Sequence, residues 1–203
     1  MRGIAKWTRY LLLLGVLAVA ATPAMANEVE HVALRATEEG LVLDADFSIE
    51  LTPRLKEVVA NGVPLYFVIE FELGRQRWYW FDEQAADESL QRRISYHALS
   101  RQYRLSTGLL QVNFDTLEEA LAAMSQVRGW LVVDRTVTFA DADYEAAVRL
   151  RLDTTMLPKP FQVSALTTRE LQVETPWKRF VVRSPRHLPA PVEVREPGGR
   201  PSQ

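Results

Sequence analysis

Hydrophobic positions alternate with polar ones along most of the chain, and the period of two marks strands with one buried face. The alternation is plainest from Val63 to Leu73, where Val63, Leu65, Phe67, Ile69, Phe71 and Leu73 fall on one face and Glu70 and Glu72 on the other. It recurs from Leu41 to Leu51, which with His31–Thr37 and the intervening Glu38-Glu39-Gly40 reads as a hairpin. It recurs again over Trp130–Phe139 and Tyr144–Asp153. Ile94–Leu105 and Leu109–Phe114 are strand-like and hinge at Ser106-Thr107-Gly108. Arg77-Trp78-Tyr79-Trp80-Phe81-Asp82 is aromatic on both faces and follows a turn at Gly74-Arg75-Gln76; Glu83–Ser89 reads as a polar, helix-permissive loop.

Helical spacing interrupts the strands twice. Thr52 is placed to cap a helix with Pro53 in its first turn, Leu55, Val58 and Val59 on its apolar stripe, and Gly62 at its stop. Asp115 and Glu118 form a capping-box pair before Leu117, Ala120, Leu121, Met124 and Val127, with Gly129 as terminator. Beyond Leu157-Pro158-Lys159-Pro160 the pattern weakens to one or two strands within Leu171–Val182, and Ser184–Gln203 holds five of the eleven prolines, the composition of a disordered tail. The fold class expected is α+β, predominantly antiparallel, either a sandwich-like or strongly curved sheet or a compact barrel-like variant, with helices near 53–61 and 116–127. Leu43 and Leu110, Phe47 and Phe114, and Gly62 and Gly129 are each 67 residues apart, so a strand-strand-helix-strand-strand duplication is one explanation of the order, and packing-imposed spacing is the other.

Residues 1–26 stand apart. Arg2, Lys6 and Arg9 precede an apolar run of 11 residues, Leu11–Ala21, and then Ala24 and Ala26, which is the layout of a secretory signal peptide cleaved after Ala26. The run is too short for a span of about 20 residues, so the mature chain is expected to have no membrane span. Residues 27–183 would form a single globular domain, periplasmic in a Gram-negative host. Removing the signal leaves 21 basic residues against 26 acidic ones, a net charge of −5 that argues against nucleic acid as a partner. The chain has no cysteine, which excludes disulfides, thiolate metal sites and cysteine nucleophiles.

Candidate chemistry is sparse. His31, His97 and His187 lack partners at metal-ligand spacing, no Gly-x-Ser-x-Gly elbow accompanies Ser95 and Ser100, and no glycine-rich phosphate loop is present, so neither a metal, a nucleotide nor another cofactor is expected. Glu70 with Glu72, and Asp141 with Asp143, are carboxylate pairs whose default role is a solvated surface. The strongest binding signal is aromatic: Tyr66, Trp78, Trp80 and Tyr96, joined by His97 and Arg101, with Arg75, Arg77, Arg92, Arg93 and Arg104 nearby, would offer rigid surface and an arginine rim to an acidic or phosphorylated partner.

Asn61-Gly62-Val63-Pro64-Leu65-Tyr66-Phe67, Arg77-Trp78-Tyr79-Trp80, Ser95-Tyr96-His97-Ala98-Leu99-Ser100-Arg101-Gln102-Tyr103, Arg128-Gly129-Trp130, and Arg149-Leu150-Arg151-Leu152-Asp153 with Leu157-Pro158-Lys159-Pro160 resemble, over nearly the whole mature chain, the exported proteobacterial family known as domain of unknown function 4390. The resemblance implies export and a gene often beside those of a nitrogen-regulation-type sensor kinase and its regulator; it brings no activity, cofactor or catalytic residue. This chain departs from the family's second tryptophan-bearing segment, having Arg169-Glu170-Leu171 before Trp177. The function expected is therefore a non-enzymatic envelope protein that binds an envelope or membrane protein partner, one candidate being a sensor kinase. The alternatives are an envelope hydrolase or glycan-binding module using His97 or the Glu70–Glu72 strand, and a small-ligand-binding module with an apolar cavity between sheet and helix lined by Trp80 and Tyr66.

Overall fold

A computed structural model describes residues 27–75, 83–183 and 192–193. Strands β1 (Glu28–Ala36) and β2 (Gly40–Ser48) form the first hairpin, and helix α1 (Pro53–Ala60) follows. Then come β3 (Leu65–Arg75), β4 (Glu83–His97), β5 (Gln102–Thr107), β6 (Leu110–Phe114), helix α2 (Leu117–Ser125), β7 (Gln126–Asp134) and β8 (Tyr144–Leu152). Helix α3 (Lys159–Thr167), β9 (Lys178–Val182) and the two-residue β10 (Val192–Glu193) complete the set. Every pairing is antiparallel, in a four-stranded sheet ordered β10-β1-β2-β7 and a six-stranded sheet ordered β6-β5-β4-β3-β8-β9. The expected α+β, mainly antiparallel and sandwich-like class is the one observed.

The alternating residues do what period two requires. Leu65, Phe67, Ile69, Phe71 and Leu73 of β3 are fully buried and meet Leu43, Ala45 and Phe47 of β2 in one core with Leu55, Val58 and Val59 of α1 and Leu117, Ala120, Leu121 and Met124 of α2. Thr52 caps α1 as its position promises, accepting from the Leu55 amide at 3.2 Å, and Gly62 follows the helix with φ 87°. Segment 173–175 extends the six-stranded sheet: Leu152 N donates to Val173 O, and the buried Thr175 hydroxyl accepts from Leu150 N at 3.0 Å.

Elsewhere the chain departs from its pattern. Glu83–Ser89 is not a loop but the first half of β4, because β3 supplies a ladder from Arg75 back to Leu65 and a strand so paired needs no apolar face of its own beyond the core. Ile94–Leu105 is not one strand: it reverses at Ala98–Arg101, with no glycine or proline to announce it, and Arg101 takes the left-handed φ of 55°. Thr116, not Asp115, caps α2, accepting from Glu119 N at 3.2 Å, while Asp115 accepts from Gln102. Gly129 does not end that helix. The chain passes from Ser125 directly into β7, where Gly129, φ 60°, sits at an irregularity in the pairing with β2. Helix α3 has no strong apolar stripe and two prolines at its start, so periodicity gave no sign of it.

The order hairpin, helix, strand, strand does occur twice. Its two copies differ in placement: β1–β2 lie in the four-stranded sheet and β5–β6 in the six-stranded one, and Gly62 follows a helix where Gly129 lies within a strand. Of the Ser184–Gln203 segment only Val192 and Glu193 are described, and they pair with Leu34 and Ala33 of β1. Among the described residues no helix is long and apolar enough to cross a membrane.

Candidate functional site

The residues singled out from the sequence are divided by the six-stranded sheet. Directly opposed residues of antiparallel strands share a face, so Tyr66, opposite Arg93, lies on the outer face together with His97, two β4 turns of the pleat further on. Tyr96 faces the other way and stacks obliquely on Tyr103, ring centroids 5.0 Å apart. Burial, with the neighbouring Tyr96 and Glu118, pushes the Tyr103 phenol above its ordinary pKa. Arg101 is exposed in the β4–β5 turn. Trp78 and Trp80 lie outside the described residues. His97 is exposed, its Nδ1 3.1 Å from Ser100 Oγ.

Glu70 belongs to a charge cluster. Its two carboxylate oxygens accept from Arg149 and Arg151, and Arg149 also lies over the Trp177 ring, 4.4 Å from the centroid. Partial burial pushes the Glu70 carboxyl up, but the hydrogen bonds and charges of the two guanidiniums outweigh it and hold the group below its ordinary range. A carboxylate so engaged is a cross-strand tie rather than a free acid or base.

Sequence reasoning passed over a groove on the other face. Helix α2 covers β5 and β6 at the Tyr103 and Phe114 end. Past the helix, Leu110 and Val112 of β6 share the inner face with the buried Leu105 and Ile94 but are 75% and 53% exposed. With Leu90, Val127 and Trp130 they line an open groove of about 340 Å³ whose walls are mainly apolar. The neighbouring Leu109 is fully exposed, and no residue from Leu109 to Asn113 is charged.

The groove exists because the two sheets differ in width. Among the described residues no strand lies beyond β7, so the four-stranded sheet stops over β4 and leaves Leu110 and Val112 of β6 uncovered. The edge of β7 is irregular: its register against β2 shifts twice, between Leu41 and Val42 and between Leu43 and Ala45. Gly129 N there donates to Asp44 Oδ1 at 2.7 Å, and Arg128 donates to Ala45 O and Asp46. Arg92 closes the floor, its Nη1 donating to Met124 O at 2.6 Å and Gln126 O at 2.7 Å, where α2 ends and β7 begins. Burial pulls its guanidinium below the ordinary pKa, and its Nε is buried without a partner. Arg92 thereby satisfies carbonyls a helix end would otherwise leave unpaired.

A larger recess of about 640 Å³ lies at the end of β2 between α1 and α2. Its walls carry both signs, Glu30, Asp46, Glu50 and Glu118 against Lys56 and Arg128. Lys56 and Glu118 approach to 3.9 Å across it, and Arg128 is engaged by Asp46. Among the described residues no group of three or more His, Asp or Glu side chains could hold a metal ion.

The fold is that of an α+β domain of two antiparallel sheets with a mainly apolar groove beside β7. Residues 24–181 match the family model described as Domain of unknown function (DUF4390), and the chain belongs to that family. No curated protein and no solved structure matches it.

Proposed function

We propose that the protein is an exported accessory protein of the cell envelope that binds an extended segment of a partner protein in the groove between β7 and the β5–β6 hairpin. The observation that carries this reading is the open edge of β7 standing beside uncovered Leu110 and Val112. A strand added to β7 would satisfy its outer backbone groups and cover those side chains, the main-chain-plus-pocket mode by which exposed sheet edges take up peptides. Each aliphatic side chain fully covered is worth about 1.5–3 kcal/mol.

The occupant comes from another molecule. Val192 and Glu193, the described residues of the chain's own C-terminal segment, pair with β1 at the far edge of the same sheet, which supports an occupant of this kind. The signal-like layout of residues 1–26 supports export. The family's gene neighbourhood makes the extracytoplasmic part of a sensor kinase the first partner to test. A binding role also fits His97, whose ring nitrogen is turned to Ser100 rather than to a carboxylate.

The test is photo-crosslinking in cells from positions 110 and 112, with Glu119 on α2 as control, followed by mass mapping of the adducts. Adducts from both positions on one contiguous segment of one envelope protein, with the synthetic segment slowing amide exchange along Val127–Leu131, are the expected result. Adducts joining two copies of this chain, adducts scattered as at Glu119, or a segment that leaves β7 exchange unchanged would each overturn the reading.

A further inference from the structure

The outer face of the six-stranded sheet divides into two electrostatic halves. On the β3–β8–β9 half Arg149 and Arg151 bind the Glu70 carboxylate, and Arg179 binds the Glu145 carboxylate. On the β4–β5–β6 half the arginines do not. Arg93 lies opposite Ser106 and Arg104 opposite Ser95, so the two are diagonal neighbours on one face, with Cβ atoms about 7 Å apart in such a register. Their only hydrogen-bond partners among the described residues are neutral: Arg93 Nη2 lies 3.4 Å from Ser106 Oγ, and Arg104 Nε donates to Asn113 Oδ1 at 3.1 Å.

Like charges placed diagonally on a sheet repel, and among the described residues no carboxylate pairs with either. The flanking outward positions are Gln91, Gln111, Asn113 and Gln102, and the acid nearest the hairpin, Asp115, is engaged by Gln102. Arg93 Nε is moreover buried with no hydrogen-bond partner among the described residues. The pair is half-buried rather than waving in solvent, so little side-chain entropy is left to lose on binding.

We propose that Arg93 and Arg104, with the Ser95 hydroxyl between them, form a binding site for a phosphate group. A phosphate can place one anionic oxygen on each guanidinium, as the Glu70 carboxylate does between Arg149 and Arg151, and a phosphomonoester keeps a third oxygen for a hydroxyl. The site lies on the face opposite the groove and stands independently of what fills it. The phosphate could be carried by a lipid headgroup or by a soluble phosphorylated molecule, and both share the chemistry that the two arginines recognise.

The experiment is a titration of the mature protein, residues 27–203, with inorganic phosphate, followed by the arginine Nε–H resonances, with chloride at matched ionic strength as control. Saturable shifts at Arg93 and Arg104, absent at the Glu70-neutralised Arg149 and Arg151, are expected. Arg93→Gln and Arg104→Gln should each weaken binding at least tenfold while leaving the thermal midpoint unchanged. Co-sedimentation with phosphatidylglycerol vesicles, lost in the same variants, would assign the phosphate to a membrane surface; phosphate binding without vesicle binding would assign it to a soluble ligand. Shifts of equal size at Arg149 and Arg151, shifts reproduced by chloride, or no shift at all would overturn the site.

Discussion

Gly40 is where the smallest change should do the most damage. It opens β2 with a φ of 146°, and a Cβ built on it would lie 1.9 Å from Val133 O and 2.9 Å from Arg135 N, both backbone atoms of the adjoining chain. Neither can swing aside as a side-chain tip would. Alanine therefore has to carry a strained backbone, about 1–3 kcal/mol, and push the β1–β2 turn away from β7 by well over an ångström. That movement breaks the bond from Arg135 N to Glu39 O, now 2.9 Å, worth about 1 kcal/mol net, and loosens the Gly40–Asp134 pairing. The expected loss is about 2–4 kcal/mol, the sum of these terms. Urea unfolding reads it directly: with a slope of about 2 kcal/mol per molar, the midpoint of Gly40→Ala should fall by roughly 1–2 M. Gly62→Ala and Gly129→Ala are the controls, since both have positive φ but nothing within 4 Å of the new Cβ, and should lose only about 1–2 kcal/mol each. A midpoint for Gly40→Ala no lower than that of Gly62→Ala would refute the steric reasoning.

Further outcomes follow from the same contacts. Thr52→Ala removes the α1 cap and should cost about 1 kcal/mol, seen as a lower melting temperature that Thr52→Ser largely restores. Glu70 and Asp44 are both held below their ordinary pKa in the folded state, so their stabilisation is present above the unfolded carboxyl range and is lost as pH falls through the folded values. Glu70→Gln should accordingly be less stable than the parent near neutrality, by roughly 1 kcal/mol after solvent screening, and the two denaturation curves should converge in acid; a constant gap at every pH would contradict this. Arg92→Met uncaps Met124 O and Gln126 O and should cost about 2 kcal/mol with faster amide exchange in α2, whereas Arg93→Met should change stability by less than about 0.5 kcal/mol.

The strands legible in the sequence are those whose inner residues are buried by the opposite sheet. Leu65, Phe67, Ile69, Phe71 and Leu73 alternate because every second position of β3 is sealed, and α1 could be bounded because Thr52, Pro53 and Gly62 each have a local conformational reason to stand there. What escaped was set by partners rather than by composition. Glu83–Ser89 is polar yet extended because β3 pairs with it, and the β4–β5 reversal is made by Ala98–Arg101, residues with no turn preference strong enough to mark them. A glycine after an apolar stripe usually stops a helix, so the sequence alone points to Gly129 as a stop. Here its positive φ serves the irregular pairing of β7 with β2, and only the partner strand could reveal that.

The candidate sites were hidden for a related reason, and the doublet Arg92-Arg93 carries the point. In the sequence the two are one feature, members of an arginine-rich middle region, and neither spacing nor charge separates them. The pleat of β4 sends them to opposite faces. Arg92 turns inward, gives its donors to the carbonyls where α2 meets β7, and becomes part of the groove floor, its charge spent on the negative end of a helix. Arg93 turns outward onto a face where Ser106 is its only described partner and Arg104 its diagonal neighbour, and its charge stays unbalanced. The same residue type in consecutive positions thus serves structure on one side and is left for a ligand on the other, which no reading of composition could have divided. Period two assigns the pair to different faces as soon as the strand is recognised; which face was spoken for depended on where α2 stopped and where the smaller sheet ran out.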